Sequence, residues 1–251
     1  MNIMEVEILG TQSPFANKEH ACPSFFVKCG KYKMLLDCGS GSHRFFDMSN
    51  LNGLSIFVSH LHRDHYNDIF NYQYTSFVFH NQNRINNKLN IYLPEFDSNV
   101  SKNIRDEVNA YCSYFEINNS KQYFIGDSKI EFCALEHSSE LEMYAIKITN
   151  KDKVIVYTGD VSYSSKNKLI EFAKNADLFI CESSLLKKHG FPVICSHLTA
   201  NQAAKIAKEA CVKRMLLTHF WPEENTDNYL NEAKEIFSNV LIAKEGEKIL
   251  L

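Results

Sequence analysis

Apolar residues recur along the chain with two different periods. Two-residue alternation or short apolar runs, bounded by Gly, Asn, Asp or Ser, predict strands over 4–9, 24–28, 33–37, 54–59, 76–79 and 91–93 in the first half. The same signals predict strands over 122–125, 129–135, 143–149, 153–158, 176–181 and 215–218 in the second. Steps of three and four predict helices over 97–114, 164–175, 199–211 and 227–237, several with Ser, Thr or Asp near the start. The clearest helical stretch is Ala200-Asn201-Gln202-Ala203-Ala204-Lys205-Ile206-Ala207. The Asn-rich passage 81–90 reads as an exposed loop. No Pro/Gly/Ser linker, repeat or low-complexity tract interrupts the pattern, so residues 1–251 are expected to form one domain of mixed sheets with outer helices.

The chemistry lies just past the strand ends. The apolar run Leu54-Ser55-Ile56-Phe57-Val58-Ser59 leads into His60-Leu61-His62-Arg63-Asp64-His65, which places four metal-binding side chains within six positions. In extended chain, residues two apart face the same way, so His60 and His62 can serve one ion while Leu61 turns to the core. A bend into a helix would swing Asp64 and His65 toward a second ion. Three further strand ends add candidates: Glu136-His137 after 129–135, Gly159-Asp160 after 153–158, and His219 after 215–218. The expected arrangement is His60, His62 and His137 around one ion, Asp64, His65 and His219 around the other, and Asp160 bridging. Imidazole and carboxylate ligands suit two divalent metals, zinc first, with manganese or iron also compatible.

Composition narrows the setting. A formal net charge of -3 and a pI near 6.4 give no general attraction to nucleic acid or anionic membrane. The short basic runs Lys166-Asn167-Lys168 and Lys187-Lys188-His189 read as solvated surface, so extended RNA binding is not expected. The eight cysteines never reach C-x-x-C spacing, and several lie in strand-like runs, which predicts reduced, buried thiols and a cytoplasmic protein. Neither a secretory leader nor a membrane-spanning stretch is recognisable. His20, His43, His80 and His189 fall outside the strand-end pattern and are expected to be surface or loop residues.

Gly10-Thr11-Gln12-Ser13-Pro14, Leu35-Leu36-Asp37-Cys38-Gly39, His60 to His65, His137, Gly159-Asp160 and His219 together resemble the metallo-β-lactamase superfamily, and within it the ribonuclease Z-like branch. The resemblance implies an α/β fold, an αββα sandwich of two mixed β-sheets flanked by helices, with a dinuclear metal centre along one sheet edge. Composition and periodicity alone do not yield that architecture. Two more segments, Asp177 to Ser184 with Glu182, and Ser196-His197-Leu198-Thr199-Ala200, resemble the acid and histidine motifs of ribonuclease Z and related phosphodiesterases. There the histidine is thought to assist the leaving group. A carboxylate beside His197 would fix its tautomer and raise its pKa toward working pH, which suits a general acid. Only 22 residues separate His137 from Asp160, too few for the protruding arm with which ribonuclease Z grips transfer RNA.

The expected function is a metal-dependent hydrolase, most simply a phosphodiesterase acting on a small or nucleotide-type phosphodiester through a hydroxide shared by the metals, with Asp64, His197 and Glu182 as catalytic groups. Alternatives are lactone, thioester or β-lactam hydrolysis by the same centre, and a non-catalytic metal-binding protein. Partners are thus a small-molecule or nucleotide substrate and, by the resemblance, a second copy of the chain in a homodimer, with no membrane.

Overall fold

Alternation along the first strands sorts their side chains onto two faces. In β1 (Met4–Gly10), β2 (Ser24–Cys29), β3 (Tyr32–Leu36) and β4 (Ser55–Phe57), residues Val6, Ile8, Phe25, Val27, Met34, Leu36 and Phe57 face one core, while Leu9, Phe26, Leu35 and Ile56 face another. A strand apolar on both faces needs cover on both sides, which dictates a layered fold. The computed structural model describes residues 4–107, 109–190 and 196–251.

Two seven-stranded sheets result. With β5 (Leu89–Leu93), β6 (Cys112–Glu116) and β14 (Lys248–Leu250), the first runs in the order β14-β1-β2-β3-β4-β5-β6. The second comprises β7 (Gln122–Ile125), β8 (Ser128–Leu135), β9 (Met143–Asn150), β10 (Lys153–Tyr157), β11 (Leu178–Glu182), β12 (Met215–Thr218) and β13 (Val240–Ile242), ordered from β13 back to β7. Each sheet is mixed: antiparallel through β14-β1-β2-β3 and β7-β8-β9-β10, parallel through β3-β4-β5-β6 and β10-β11-β12-β13. The inner faces pack together, with Phe25 of the first sheet 5.3 Å from Tyr157 of the second. Burying each such large apolar side chain contributes about 1.5–3 kcal/mol.

Helices cover the outer faces. Ile69 and Tyr72 of α2 (Ile69–Asn81) and Ile104 of α3 (Asn99–Asp106) close the first sheet, after the single turn α1 (Arg63–Tyr66). Leu169 and Ala173 of α4 (Lys166–Ala173), the alanines of α5 (Ala200–Glu209), and Tyr229 of α6 (Thr226–Lys234) close the second. The αββα sandwich expected from the resemblance is the observed fold. No helix among the described residues is long and apolar enough to cross a membrane.

Two expectations are corrected. Residues 76–79 are the last turns of α2, not a strand. The buried stripe of that helix, Ile69, Tyr72, Gln73 and Ser76, is half polar, and aromatics lie outside it, which hides the helical period. Gln73 Nε2 donates there to the Ile104 carbonyl and the Tyr114 hydroxyl, each at 2.8 Å. The helix expected over 97–114 ends at Asp106; Cys112–Glu116 instead pairs in parallel with Leu89–Leu93. There, aromatic Tyr114 and Phe115 fit a sheet surface better than a helix.

Candidate metal centre

Strands deliver their final residues to one edge of the sandwich, the usual place for chemistry in sheets with parallel strands. β4 leads to His60 and β8 to His137, β10 leads to Asp160, and β11 and β12 end beside Glu182 and His219. The segment 60–65 turns from extended chain at His62 into α1, so Leu61 enters the core while the polar residues on either side face the edge. The neighbouring positions demand unusual backbone: Asp37, Gly159 and His219 all have positive φ, 56°, 58° and 66°. Asp and His tolerate this region better than most side chains. At Gly159 an added Cβ would lie 2.9 Å from Ser59 Cβ and Oγ, so the close approach of the two sheets also requires glycine.

The donor atoms converge. His60 Nε2 lies 3.0 Å from His62 Nδ1, and His137 Nε2 lies 3.1 Å from the same atom. Asp160 Oδ2 stands 3.6 Å from His60 Nε2 and 3.5 Å from His137 Nε2. The other oxygen, Oδ1, stands 3.2 Å from His65 Nε2 and 2.8 Å from His219 Nε2, and those two nitrogens are 3.2 Å apart. Asp64 Oδ2 lies 3.5 Å from His65 Nε2 and 3.7 Å from His219 Nε2. The residues thus form two groups, His60/His62/His137 and Asp64/His65/His219, with one oxygen of Asp160 turned to each.

Hydrogen bonding fixes which nitrogen faces inward. His65 Nδ1 donates to Asp37 Oδ2 at 2.7 Å, His137 Nδ1 to the Ser196 carbonyl at 2.7 Å, and His219 Nδ1 meets Ser184 Oγ at 2.7 Å. His60 Nδ1 meets Ser59 Oγ at 3.1 Å. Each outer nitrogen being occupied, the inner one is left to bind something else. Asp37, fully buried, also accepts the Ser59 amide (2.6 Å) and hydroxyl (2.8 Å) and the Tyr157 hydroxyl (2.6 Å), tying both sheets to His65. Ser13 Oγ donates to Asp64 Oδ2 at 2.7 Å.

These residues fit divalent cations. Asp160 Oδ1 is buried and has no properly oriented hydrogen bond, although two imidazole nitrogens lie close to it. Converging acceptors at about 3 Å match the edges of a coordination polyhedron with metal–ligand bonds of about 2.0–2.2 Å. Charge agrees with geometry. Burial alone would lower His219, yet Asp160 and Asp64 lift it to about 10, and the carboxylates of Asp160, Asp64 and Asp37 likewise override burial to raise His65. The pocket therefore stabilises positive charge at those nitrogens. His60 is instead pushed well below its usual value by burial and by its imidazole neighbours, which keeps a neutral lone pair available.

Beside the cluster lies a second constellation. Glu182 is buried; its Oε1 accepts the Val161 amide at 2.9 Å and faces His197 Nδ1 at 3.1 Å, and its Oε2 accepts Ser184 Oγ at 2.9 Å. Burial works to lower His197, but Glu182 and Asp160 raise it. The loop bearing His197 is anchored by fully buried Leu198 and by a capping box in which Thr199 Oγ1 accepts the Gln202 amide (3.1 Å) while Gln202 Oε1 accepts the Thr199 amide (2.9 Å). His197 Nδ1 also lies 3.9 Å from Asp160 Oδ2, so it forms a third possible donor group with Asp160 and His219.

All nine site residues expected from the sequence, His60, His62, Asp64, His65, His137, Asp160, Glu182, His197 and His219, meet at this edge. Asp37, Ser59, Ser184, Ser13 and Tyr157 join them without having been expected as site residues. Ser13, Asp37 and Ser184 lie in segments that carry the resemblance, but their contacts with Asp64, Tyr157 and His219 span 51, 120 and 35 positions, which the sequence does not reveal. The remaining histidines are elsewhere: His20 faces Glu245 at 3.0 Å, His43 faces Thr75 at 3.3 Å, His80 bonds within α2, and His189 lies 3.3 Å from Glu224. The seven described cysteines are unpaired, and Cys195 lies outside the described residues.

Residues 32–220 match the model of the beta-lactamase superfamily domain. The chain is 25% identical to ribonuclease Z of Archaeoglobus fulgidus across 97% of this chain and 96% of that protein. It is 29% identical to the probable metallo-hydrolase YhfI of Bacillus subtilis across 97% and 98%. The crystal structure of YhfI from Bacillus subtilis superposes with a TM-score of 0.90 at 28% identity, covering all of both chains.

Proposed function

The chain belongs to the beta-lactamase superfamily, in its ribonuclease Z-like branch, and from that premise we propose a two-metal phosphodiesterase acting on a small or nucleotide-type phosphodiester. It is a metal-dependent hydrolase. In this reading His60, His62 and His137 would hold one divalent ion and Asp64, His65 and His219 the other, with Asp160 available to both and zinc the best match to the donors. Ions held there supply Lewis acidity and a water acidic enough to ionise near neutral pH.

The rest of the chemistry belongs to the chain itself. With Nδ1 engaged by Glu182, His197 keeps Nε2 for substrate, and the neighbouring Glu182 and Asp160, which outweigh burial and raise its pKa, favour the protonated ring that can donate to a departing alkoxide. Ser184 steadies both partners, bonding Glu182 Oε2 and lying 3.2 Å from His197 Nδ1. This pair of a buried acid and a partly exposed histidine beside the donor cluster is the observation that favours phosphodiesters. A poor alkoxide leaving group needs a proton, whereas a strained lactone or β-lactam depends on one much less.

A small substrate is favoured by what joins His137 to Asp160. The described chain there is a plain hairpin of β9 and β10. The alignment to ribonuclease Z runs over 302 positions, so it opens gaps of at least 51 positions in this 251-residue chain, whereas that to YhfI runs over 251.

The test is metal analysis with a screen of bis(4-nitrophenyl) phosphate, nucleoside cyclic phosphates and lactones. His197→Ala is expected to lower phosphodiester turnover by about 10²–10⁴-fold at unchanged metal content. Lactone hydrolysis that exceeds phosphodiester turnover and survives His197→Ala would establish the acyl-hydrolase alternative instead.

A further inference from the structure

Isolated exposed apolar side chains are ordinary, but two large aromatics converging at the rim of a buried polar cluster are not. Phe15 is 52% exposed and Trp221 43%, and their rings meet edge to face with centroids 6.4 Å apart at 70°. Both stand close in sequence to site residues: Phe15 is two positions after Ser13, whose hydroxyl bonds Asp64, and Trp221 two positions after His219.

The backbone beneath the pair is braced. The Phe220 amide donates to the Thr11 carbonyl at 2.9 Å, and the Ser13 amide to the Phe220 carbonyl at 3.1 Å, so one short ladder holds both loops. Phe220 is buried against Tyr229, with ring centroids 5.0 Å apart, and the Trp221 amide donates to the Tyr229 hydroxyl at 3.3 Å. The exposed rings are therefore presented on a fixed base, and little further ordering is needed to receive a ligand. Beside Trp221 lies a cavity of about 200 Å³ walled also by Ser184, Leu185 and His189. Ser184 is the residue that bonds both His219 and Glu182, so this cavity adjoins the second donor group directly.

We propose that Trp221, braced edge-on by Phe15, forms a stacking platform for the nucleobase of the substrate. The cavity is smaller than the roughly 300–1,000 Å³ that encloses a drug-sized molecule, which fits one planar ring system with the sugar and phosphate outside it. Every base offers a π-face, so such a platform selects nucleotides over simple phosphodiesters without selecting one base. The proposal deepens the phosphodiesterase reading and rests on it for the reacting group.

Trp221 is the single tryptophan of the chain, so ring stacking can be read from its fluorescence without any turnover. Titrating the metal-loaded protein with adenosine 5′-monophosphate is expected to quench that emission saturably, while ribose 5-phosphate leaves it unaltered. Phe15→Ala should weaken the nucleotide's Kd about five- to tenfold. Trp221→Leu should lower the ratio of kcat/KM for adenosine 2′,3′-cyclic phosphate over ethylene cyclic phosphate by about tenfold, with near-ultraviolet circular dichroism confirming the fold. Equal quenching by ribose 5-phosphate, an unaltered substrate ratio, or a dimer that Trp221→Leu dissolves would overturn the platform. Quenching by nucleotide in a protein that hydrolyses no phosphodiester would instead sustain the platform and refute the reaction.

Discussion

The two sheets supply the metal centre in opposite ways. The first gives His60, His62, Asp64 and His65 from one loop of six residues, positioned by an extended segment and a single helical turn. The second gives His137, Asp160, Glu182 and His219 from four different strand ends, so their spacing depends on sheet register over some eighty residues. Local backbone geometry fixes the first set, and long-range pairing the second. A register slip of one residue in β12 would turn His219 away, whereas no slip within the second sheet disturbs the loop from 60 to 65.

Asp160 is where the contrast can be broken most severely, because one carboxylate faces both donor groups. Asp160→Ala is expected to abolish measurable turnover and to deplete both metal positions, against loss of one for His62→Ala; metal stoichiometry by mass spectrometry distinguishes them. Retention of two ions in the alanine variant would show that the carboxylate bridges nothing. Asp37→Asn probes the support beneath the first set. Replacing Oδ2, which accepts from His65 Nδ1, the Ser59 hydroxyl and the Tyr157 hydroxyl, by an amide nitrogen should weaken metal affinity by about 10–100-fold, as competition with a chelating dye would record. The smallest effect is expected from Ser13→Ala, which deletes one hydrogen bond to the partly exposed Asp64. A change of about fivefold or less in kcat/KM, the scale of a single hydrogen bond, should leave metal content intact.

The same contrast explains what the sequence reveals. The loop from His60 to His65 is legible because its ligands are crowded together, and His137, Asp160 and His219 because each comes directly after an apolar run. Asp37 is opaque as a site residue: its importance arises from Tyr157, 120 positions away, and from His65, 28 away. Ser184 is equally opaque in its role, although its segment carries the acid motif, since its bond to His219 reaches 35 positions to the end of the neighbouring strand. In α2 the buried polar residues Gln73 and Ser76 reverse the usual inside-outside pattern, and periodicity fails for that reason. Strand β14, three residues long, is defined by its pairing with β1 across nearly the whole chain, which no local signal encodes.

Gly159 pressed against Ser59 leaves no room between the two ligand-bearing layers for even one methyl group. The spacing between the two sheet edges that carry the donor groups is accordingly an inextensible dimension of the scaffold, like the jaw opening of a fixed spanner. Descendants of this chain that acquire new substrates must therefore do so by reshaping the rim, at positions such as Phe15 and Trp221, while the catalytic floor keeps its gauge.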